Sequence, residues 1–309
     1  MLGFSDRLAI LMYHRVLPQP DALRAWDVDA HAFTWQMATL RRYFNVLPLR
    51  EAVSRLRSRT LPPRAVCITF DDGYADNVDV ALPILQNHGL HATFFIATGY
   101  LDGGRMWNDT VIEAVARAPG PVLDLESLGL ARHAVATVNE RVQAIKSLLG
   151  QLKYLPPPER AHKSAAIAER VGQRLPDNLM MTTAQLRALH QSGMEIGAHT
   201  VQHPILARVA DDEAQQEIAG SRERLRDLLG SEVTTFAYPN GRPGQDYTAR
   251  DVELVRRAGF DLAVSTAWGY ASARMDVHQL ARIAPWDNTP ARFALRIVRS
   301  YFSAVAQLQ

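Results

Sequence analysis

The stretch Ala65 to Asn77, AVCITFDDGYADN, limits what this chain can become more than any other. Ala65 to Phe70 is a short apolar run rich in β-forming residues and reads as a buried strand. It stops on two adjacent acids, Asp71 and Asp72, followed at once by Gly73. Neighbouring residues on an extended chain point to opposite sides, so the two carboxylates cannot share one job. One suits a cation and the other a proton. The plainer alternative is a pair of helix-capping acids ahead of the apolar segment Val78 to Leu85.

The same order recurs along the chain. Leu8 to Tyr13 reads as a first strand, ending in His14 and Arg15. Helices are expected over His31 to Tyr43, Leu49 to Arg57 and Asn77 to His88, the last tolerating Pro83 only with a kink or near its first turns. Gly89 fits its C-cap, and Ala92 to Ala97 is the next strand. Strand and helix alternating over short links argue for parallel pairing.

Residues 102–181 break the pattern, with helices expected at Trp107 to Ala118, Asn139 to Leu152 and Pro158 to Arg174. Asn108 is the expected N-cap of the first, and Leu123 to Val135 a small hairpin. This stretch reads as a mostly helical insertion over one mouth of the core, within a single domain spanning 1–309. Alternation then resumes: strands at Met194 to Ala198, Thr235 to Tyr238, Leu262 to Thr266 and Leu280 to Ile283, and helices at Ala210 to Leu229, Thr248 to Ala258 and Arg292 to Leu308.

Composition excludes several classes. Lys and Arg total 34 against 32 acids, a net charge of +2 that argues against a nucleic-acid surface. Cys67 is the single cysteine, so no disulfide forms within the chain and a buried thiol is its default. No window approaches the roughly 20 apolar residues of a membrane span, and the opening lacks the apolar core of a secretion signal. The chain as written is expected in the cytoplasm. Peripheral membrane contact is left open only through the apolar face of the C-terminal helix, for which core packing is the plainer use.

Three strand ends carry unusual polar residues: Asp71-Asp72, His199 with His203, and Tyr238-Pro239-Asn240-Gly241. In parallel barrels function gathers where strands end, so these three would converge. Two histidines four residues apart can reach one cation across a helical turn. With a carboxylate they make a His2Asp set that leaves positions open for water and substrate. Such a set favours Zn2+, with Co2+, Ni2+ or Mn2+ as alternatives. The plain alternative is a solvated turn, and the acid pair at an equivalent strand end weighs against it.

TFDDGYADN, HTVQHP and FAYPNG, in that order, resemble the first three motifs of the polysaccharide deacetylases, the NodB homology domain or carbohydrate esterase family 4. LMYHRV and GMEIGAHT resemble the branch that includes poly-N-acetylglucosamine deacetylases. The resemblance implies a TIM-like distorted (β/α) barrel of about seven strands. It implies metal-assisted removal of acetyl groups from N-acetylated sugars of a polysaccharide or glycoconjugate, as in exopolysaccharide, lipopolysaccharide or cell-wall metabolism. Asp72, His199 and His203 match the metal triad and Asp71 the general base. Tyr238 matches the residue whose backbone N–H stabilises the oxyanion.

Later motifs depart from the pattern. Asp261 and Trp268 stand seven apart where relatives have an Asp and Trp four apart, which leaves Trp268 as a candidate for the acetyl pocket. His278, just ahead of LARIAP, is the nearest candidate for the acid that protonates the leaving amine. Arg282, at a strand end, is placed to orient Asp71 through a charge-assisted bond. His14, Pro239 and Asn240 are candidate substrate contacts. An O-acetyl esterase on the same scaffold and an inactive glycan-binding module are the alternatives.

Overall fold

The computed structural model describes residues 6–303, 305, 307 and 308. The chain divides into two compact units, one of residues up to Gln19, Trp26–Asp102 and from Met181 onwards, the other of Pro20–Ala25 and Gly103–Met180.

The first unit is built on seven parallel strands laid side by side in chain order. They are β1 (Arg7–Tyr13), β2 (Ala65–Phe70), β3 (Thr93–Ile96), β4 (Glu195–Ala198), β5 (Thr235–Ala237), β6 (Leu262–Trp268) and β7 (Leu280–Arg282). The circle is nearly closed by one residue after β7. The Ile283 N–H donates to the Ile10 carbonyl and its own carbonyl accepts the Met12 N–H, both at 2.9 Å. Two short strands, Asn45–Val46 beside β2 and Ala271–Ser272 antiparallel to β1, complete a nine-stranded sheet. The fold is a distorted (β/α) barrel.

The described residues form ten α-helices: α1 (Ala30–Tyr43), α2 (Leu49–Arg57), α3 (Leu82–His88), α4 (Trp107–Arg117), α5 (Val138–Leu152), α6 (Pro157–Val171), α7 (Thr183–Gln191), α8 (Asp211–Leu229), α9 (Ala249–Arg257) and α10 (Pro290–Ser300). Strand alternation sorts the side chains into two layers. Ala9, Leu11, Val66, Ile68, Phe70 and Phe94 pack outwards on Phe33 and Met37 of α1, Leu186 of α7, Ile218 of α8 and Val255 of α9. Leu8, Ile10, Cys67, Phe95, Ala237 and Val264 form the inner layer with Leu49, Ala52, Val53 and Leu56 of α2. Helix α2 therefore plugs the barrel where its strands start, and its Arg50 N–H lies 3.5 Å from the Glu195 carboxylate at the first residue of β4.

Helix boundaries differ from the sequence reading where a backbone donor is missing or a turn intervenes. Asn77–Ala81 is a π-helical turn whose last bond runs from the Leu82 N–H to the Asn77 carbonyl, and α3 starts after it. Pro83, which has no N–H to offer, sits in the first turn of α3, where none is needed. The C-terminal helix ends at Ser300 and not at Leu308, and its apolar residues Phe293 and Ile297 are fully buried. Strand β6 runs two residues further than its apolar core suggests and takes in Trp268.

In the second unit α4, α5 and α6 bury Val111, Val115, Ile145, Leu148 and Ile167 together, beside a two-stranded hairpin of Val122–Leu123 and His133–Ala134. Helix α4 is capped at Met106, one turn before Thr110, with the Asp109 carboxylate accepting the Met106 N–H at 3.3 Å, so Asn108 is not its cap. Trp107 packs against this core with the Arg160 guanidinium over its ring. Among the described residues no helix is long and apolar enough to cross a membrane.

Candidate metal and catalytic centre

At the end of β2 the chain reverses through two residues of positive φ, Asp72 at 75° and Gly73 at 90°. The Asp71 N–H still bonds to the Tyr13 carbonyl at 2.9 Å, so Asp71 keeps its place in the sheet while Asp72 turns away. The two carboxylates are separated by this bend. Arg282, the last residue of β7, grips Asp71 through two parallel bonds of 2.7 Å, one to each oxygen. Its Nε donates to the Ser265 carbonyl at 2.9 Å and Nη1 also reaches Thr69 Oγ1 at 3.2 Å. Both partners are almost wholly buried. Burial alone pushes the Asp71 carboxyl up, but Arg282, His199 and His14 outweigh it and hold the group below the usual carboxylate range.

Asp72 faces the histidines. His199 Nε2 and His203 Nε2 each lie 3.4 Å from Asp72 Oδ1, and the three ligand atoms fall within 4.8 Å of one another. That oxygen is buried and makes no hydrogen bond of ordinary distance and angle. Two donors about 2.0–2.1 Å from one tetrahedral ion stand roughly 3.3 Å apart, so this spacing suits a shared cation. The other nitrogen of His199, Nδ1, is 2.7 Å from the Ala237 carbonyl. Donation there keeps the Nε2 lone pair free for a metal. Burial raises the Asp72 carboxyl, yet His199, His203 and His14 together hold it far below its ordinary value. The residues fit a divalent cation with nitrogen and oxygen donors, and this is the one such cluster of three among the described residues.

The strand-end loops are backbone-strained. Among the described residues seven non-glycines have positive φ, and four of them, Asp72, Thr200, His203 and Asn240, lie in the three motifs. The segment from His199 to His203 is thus a left-handed loop and not the helical turn that a four-residue spacing suggests.

Two sequence assignments fail on geometry. The Tyr238 N–H is already spent on the Val264 carbonyl at 3.2 Å, because the parallel β5–β6 pairing runs through residue 238. Its ring is fully buried, stacked on Tyr247 at 3.9 Å, with its hydroxyl donating to the His278 carbonyl at 3.0 Å. Tyr238 therefore offers no oxyanion donor. The first N–H beyond it that carries no hydrogen bond among the described residues is that of Asn240, since Pro239 has none to give. Asn240 is held at φ 59°, its carbonyl accepting from Thr266 Oγ1 at 2.7 Å.

His278 fails for a different reason. It lies in the Val277–Gln279 turn that precedes β7, whereas Arg282, with Asp71 bonded to it, is at the strand's far end. Its Nε2 is 2.9 Å from the Phe260 carbonyl and Nδ1 is 3.6 Å from Asp276. It cannot serve the site.

His14 does reach the mouth. Its carbonyl accepts from Asn77 at 2.9 Å and its ring is close enough to act electrostatically on both Asp71 and Asp72. Trp268 pairs with Arg282 across β6 and β7 and stands half-exposed there. Sequence reasoning missed the clamp behind His14. Asp76 takes two bonds from Arg15 and the Val16 N–H at 3.2 Å. Both Asp76 and Asn77 stand in the AVCITFDDGYADN stretch, so the signal was present and unread.

One mouth of the nearly closed parallel barrel thus carries the Arg282-bound carboxylate of Asp71 beside a cluster, Asp72, His199 and His203, that could hold a metal ion. The sequence profile of the polysaccharide deacetylases matches residues 58–119 and 167–263, more than half of the chain, and the chain belongs to that family. YxkH of Bacillus subtilis, placed with the polysaccharide deacetylases by its name, is 22% identical over 279 residues, covering 90% of this chain and 71% of its own length. Among solved structures, the Streptococcus pyogenes deacetylase PplD superposes with a TM-score of 0.64 at 22% identity, covering 94% of this chain and 98% of PplD. IcaB from Ammonifex degensii gives 0.60 at 21%, covering 96% and 97%. At these identities the likeness to solved structures speaks for the fold.

Proposed function

We propose that the protein is a metal-dependent carbohydrate N-deacetylase, acting on N-acetylated sugars of a polysaccharide or glycoconjugate. The observation that carries this is Asp71 fixed by Arg282 beside the Asp72, His199 and His203 cluster. A structural ion pair has no use for three potential ligand atoms gathered next to it. A divalent cation held by Asp72, His199 and His203, Zn2+ first and Co2+, Ni2+ or Mn2+ as alternatives, supplies the Lewis acidity that acidifies water and polarises an amide carbonyl.

The chain's own groups do the rest. Each carboxylate oxygen has two acceptor sites, so Asp71 keeps lone pairs for a water proton while Arg282 fixes its orientation. The Asn240 N–H is the donor available to a developing oxyanion. With His278 out of reach, His14 takes the part of the acid that protonates the leaving amine. Trp268 and Pro239 line the acetyl and sugar contacts.

Acetate release tests the reading, measured with N-acetylglucosamine oligosaccharides and an O-acetylated sugar. Metal-stripped protein, zinc- and cobalt-loaded protein and Asp71→Asn are compared. Activity on the amide that needs metal and Asp71 supports the proposal, and activity on the ester alone replaces it with an esterase. Glycan binding without acetate release from any form would make the protein a binding module.

A further inference from the structure

The loop that presents the second histidine is held from outside the site. Thr200 and His203 both adopt left-handed backbone, at φ 63° and 53°. Non-glycine residues persist there only where their surroundings fix them. Inside the loop, Thr200 Oγ1 accepts the His203 N–H at 3.1 Å and donates to the His199 carbonyl at 2.6 Å. On one flank the Thr98 and Gly99 N–H groups donate to the Thr200 and Val201 carbonyls at 3.1 and 2.8 Å. That approach needs glycine, because a Cβ on residue 99 would lie 2.6 Å from the Val201 oxygen.

On the other flank the successive N–H groups of Val201 and Gln202 converge on one atom. Oε2 of Glu217, in the second turn of α8, accepts them at 2.8 and 2.7 Å. Bonds from backbone N–H groups to a carboxylate are among the stronger ones available. Glu217 stands fourteen residues beyond His203, outside HTVQHP, and touches none of the three ligand side chains.

We infer that Glu217 is a positioning residue for the metal centre. Its carboxylate pins the Val201–Gln202 backbone so that the left-handed turn keeps His203 Nε2 aimed at Asp72. The inference rests on the metal-site reading above. It predicts that Glu217 governs metal affinity through His203 alone, since His199 is fixed separately by Ala237.

The test is Co2+ binding by the full-length, metal-stripped protein, read from the visible absorption spectrum and by competition with a chelating dye. Variants are Glu217→Ala, Glu217→Gln, His203→Ala and the Glu217→Ala/His203→Ala double. Glu217→Ala is expected to weaken Co2+ about 10–100-fold, as loss of an outer support does, and to shift the spectrum towards that of His203→Ala. Glu217→Gln, whose amide oxygen still accepts both N–H groups, is expected to stay close to the unaltered protein. In the double variant the Glu217 change adds no further loss, because the two act as one unit. Thermal melting of each metal-free variant separates a folding defect, and Glu217→Gln remains informative if Glu217→Ala does not fold. Wild-type affinity and spectrum in Glu217→Ala, or additive losses in the double variant, would overturn the inference. Absence of Co2+ binding by the unaltered protein is a separate result and removes the metal-site reading beneath it.

Discussion

The two ends of the barrel use the same kinds of residue to opposite effect. Where the strands start, the polar groups that are bonded find their partners near their own strand. His278 takes the Phe260 carbonyl and Asp276, and Glu195 takes Thr93 and the first turn of α2. Where the strands finish, polar groups from three different strands meet each other. Asp71 meets Arg282, and Asp72 meets His199 and His203, on backbone bent into left-handed conformations. Contacts kept close to one strand make a plug; convergence of ligating groups from several strands makes a site. The contrast explains why a titratable residue in this barrel is judged by which end of its strand it occupies.

Breaking the contrast at its strongest point should cost most. Asp71→Asn is expected to lower kcat about 10²–10⁴-fold while metal binding persists, measured as acetate release together with cobalt titration. Retained activity would remove Asp71 from the chemistry. Arg282→Met leaves the Asp71 charge buried and unpaired, and should destabilise the fold by about 3–5 kcal/mol, read from denaturant unfolding. A loss below 1 kcal/mol would mean that water already reaches the pair.

Smaller effects sharpen the comparison. His14→Ala at the finishing end should lower kcat about 10²-fold, whereas His278→Gln at the starting end should leave it unchanged. The reverse order would reinstate His278 as the acid. Tyr238→Phe removes only the bond to the His278 carbonyl and should cost about 1 kcal/mol of stability with kcat intact.

The smallest effect concerns Glu195. Burial, only partly offset by Arg50, Thr93 and Leu49, holds its carboxyl above the ordinary value. An acid with a raised folded pKa loses stability as pH rises from the unfolded value, near 4.3, through the folded one, and stays level beyond. Glu195→Gln should flatten that fall in Tm between pH 4 and 7. An unchanged slope would show that Glu195 is better solvated than its surroundings imply.

Much of this was legible before any coordinates. The apolar runs that end in DD, in HTVQH and in YPNG gave the strands, their parallel order and the triad, because strand chemistry and turn chemistry change abruptly at those points. What stayed hidden depended on pairing across the sheet. Tyr238 was misread because its N–H is consumed by β6, a partner that no local pattern names. His278 was misread because nearness in sequence to β7 does not say which end it faces. Glu217 carried no motif at all, since its role comes from the register of α8 on the loop.

One further consequence follows from the way the barrel closes. Beyond the short Ala271–Ser272 strand on the same edge of β1, the described ladder bonds that join β7 to β1 are the two of Ile283, to Ile10 and Met12. A cylinder with a single-residue seam has one place where it unzips most cheaply, and amide hydrogen exchange should be fastest there among the barrel's ladder bonds. Arg282 is the residue immediately before that seam. Opening there is expected to loosen the guanidinium that holds Asp71, and faster seam exchange in Arg282→Met than in the unaltered protein would show the wall and the carboxylate to be linked.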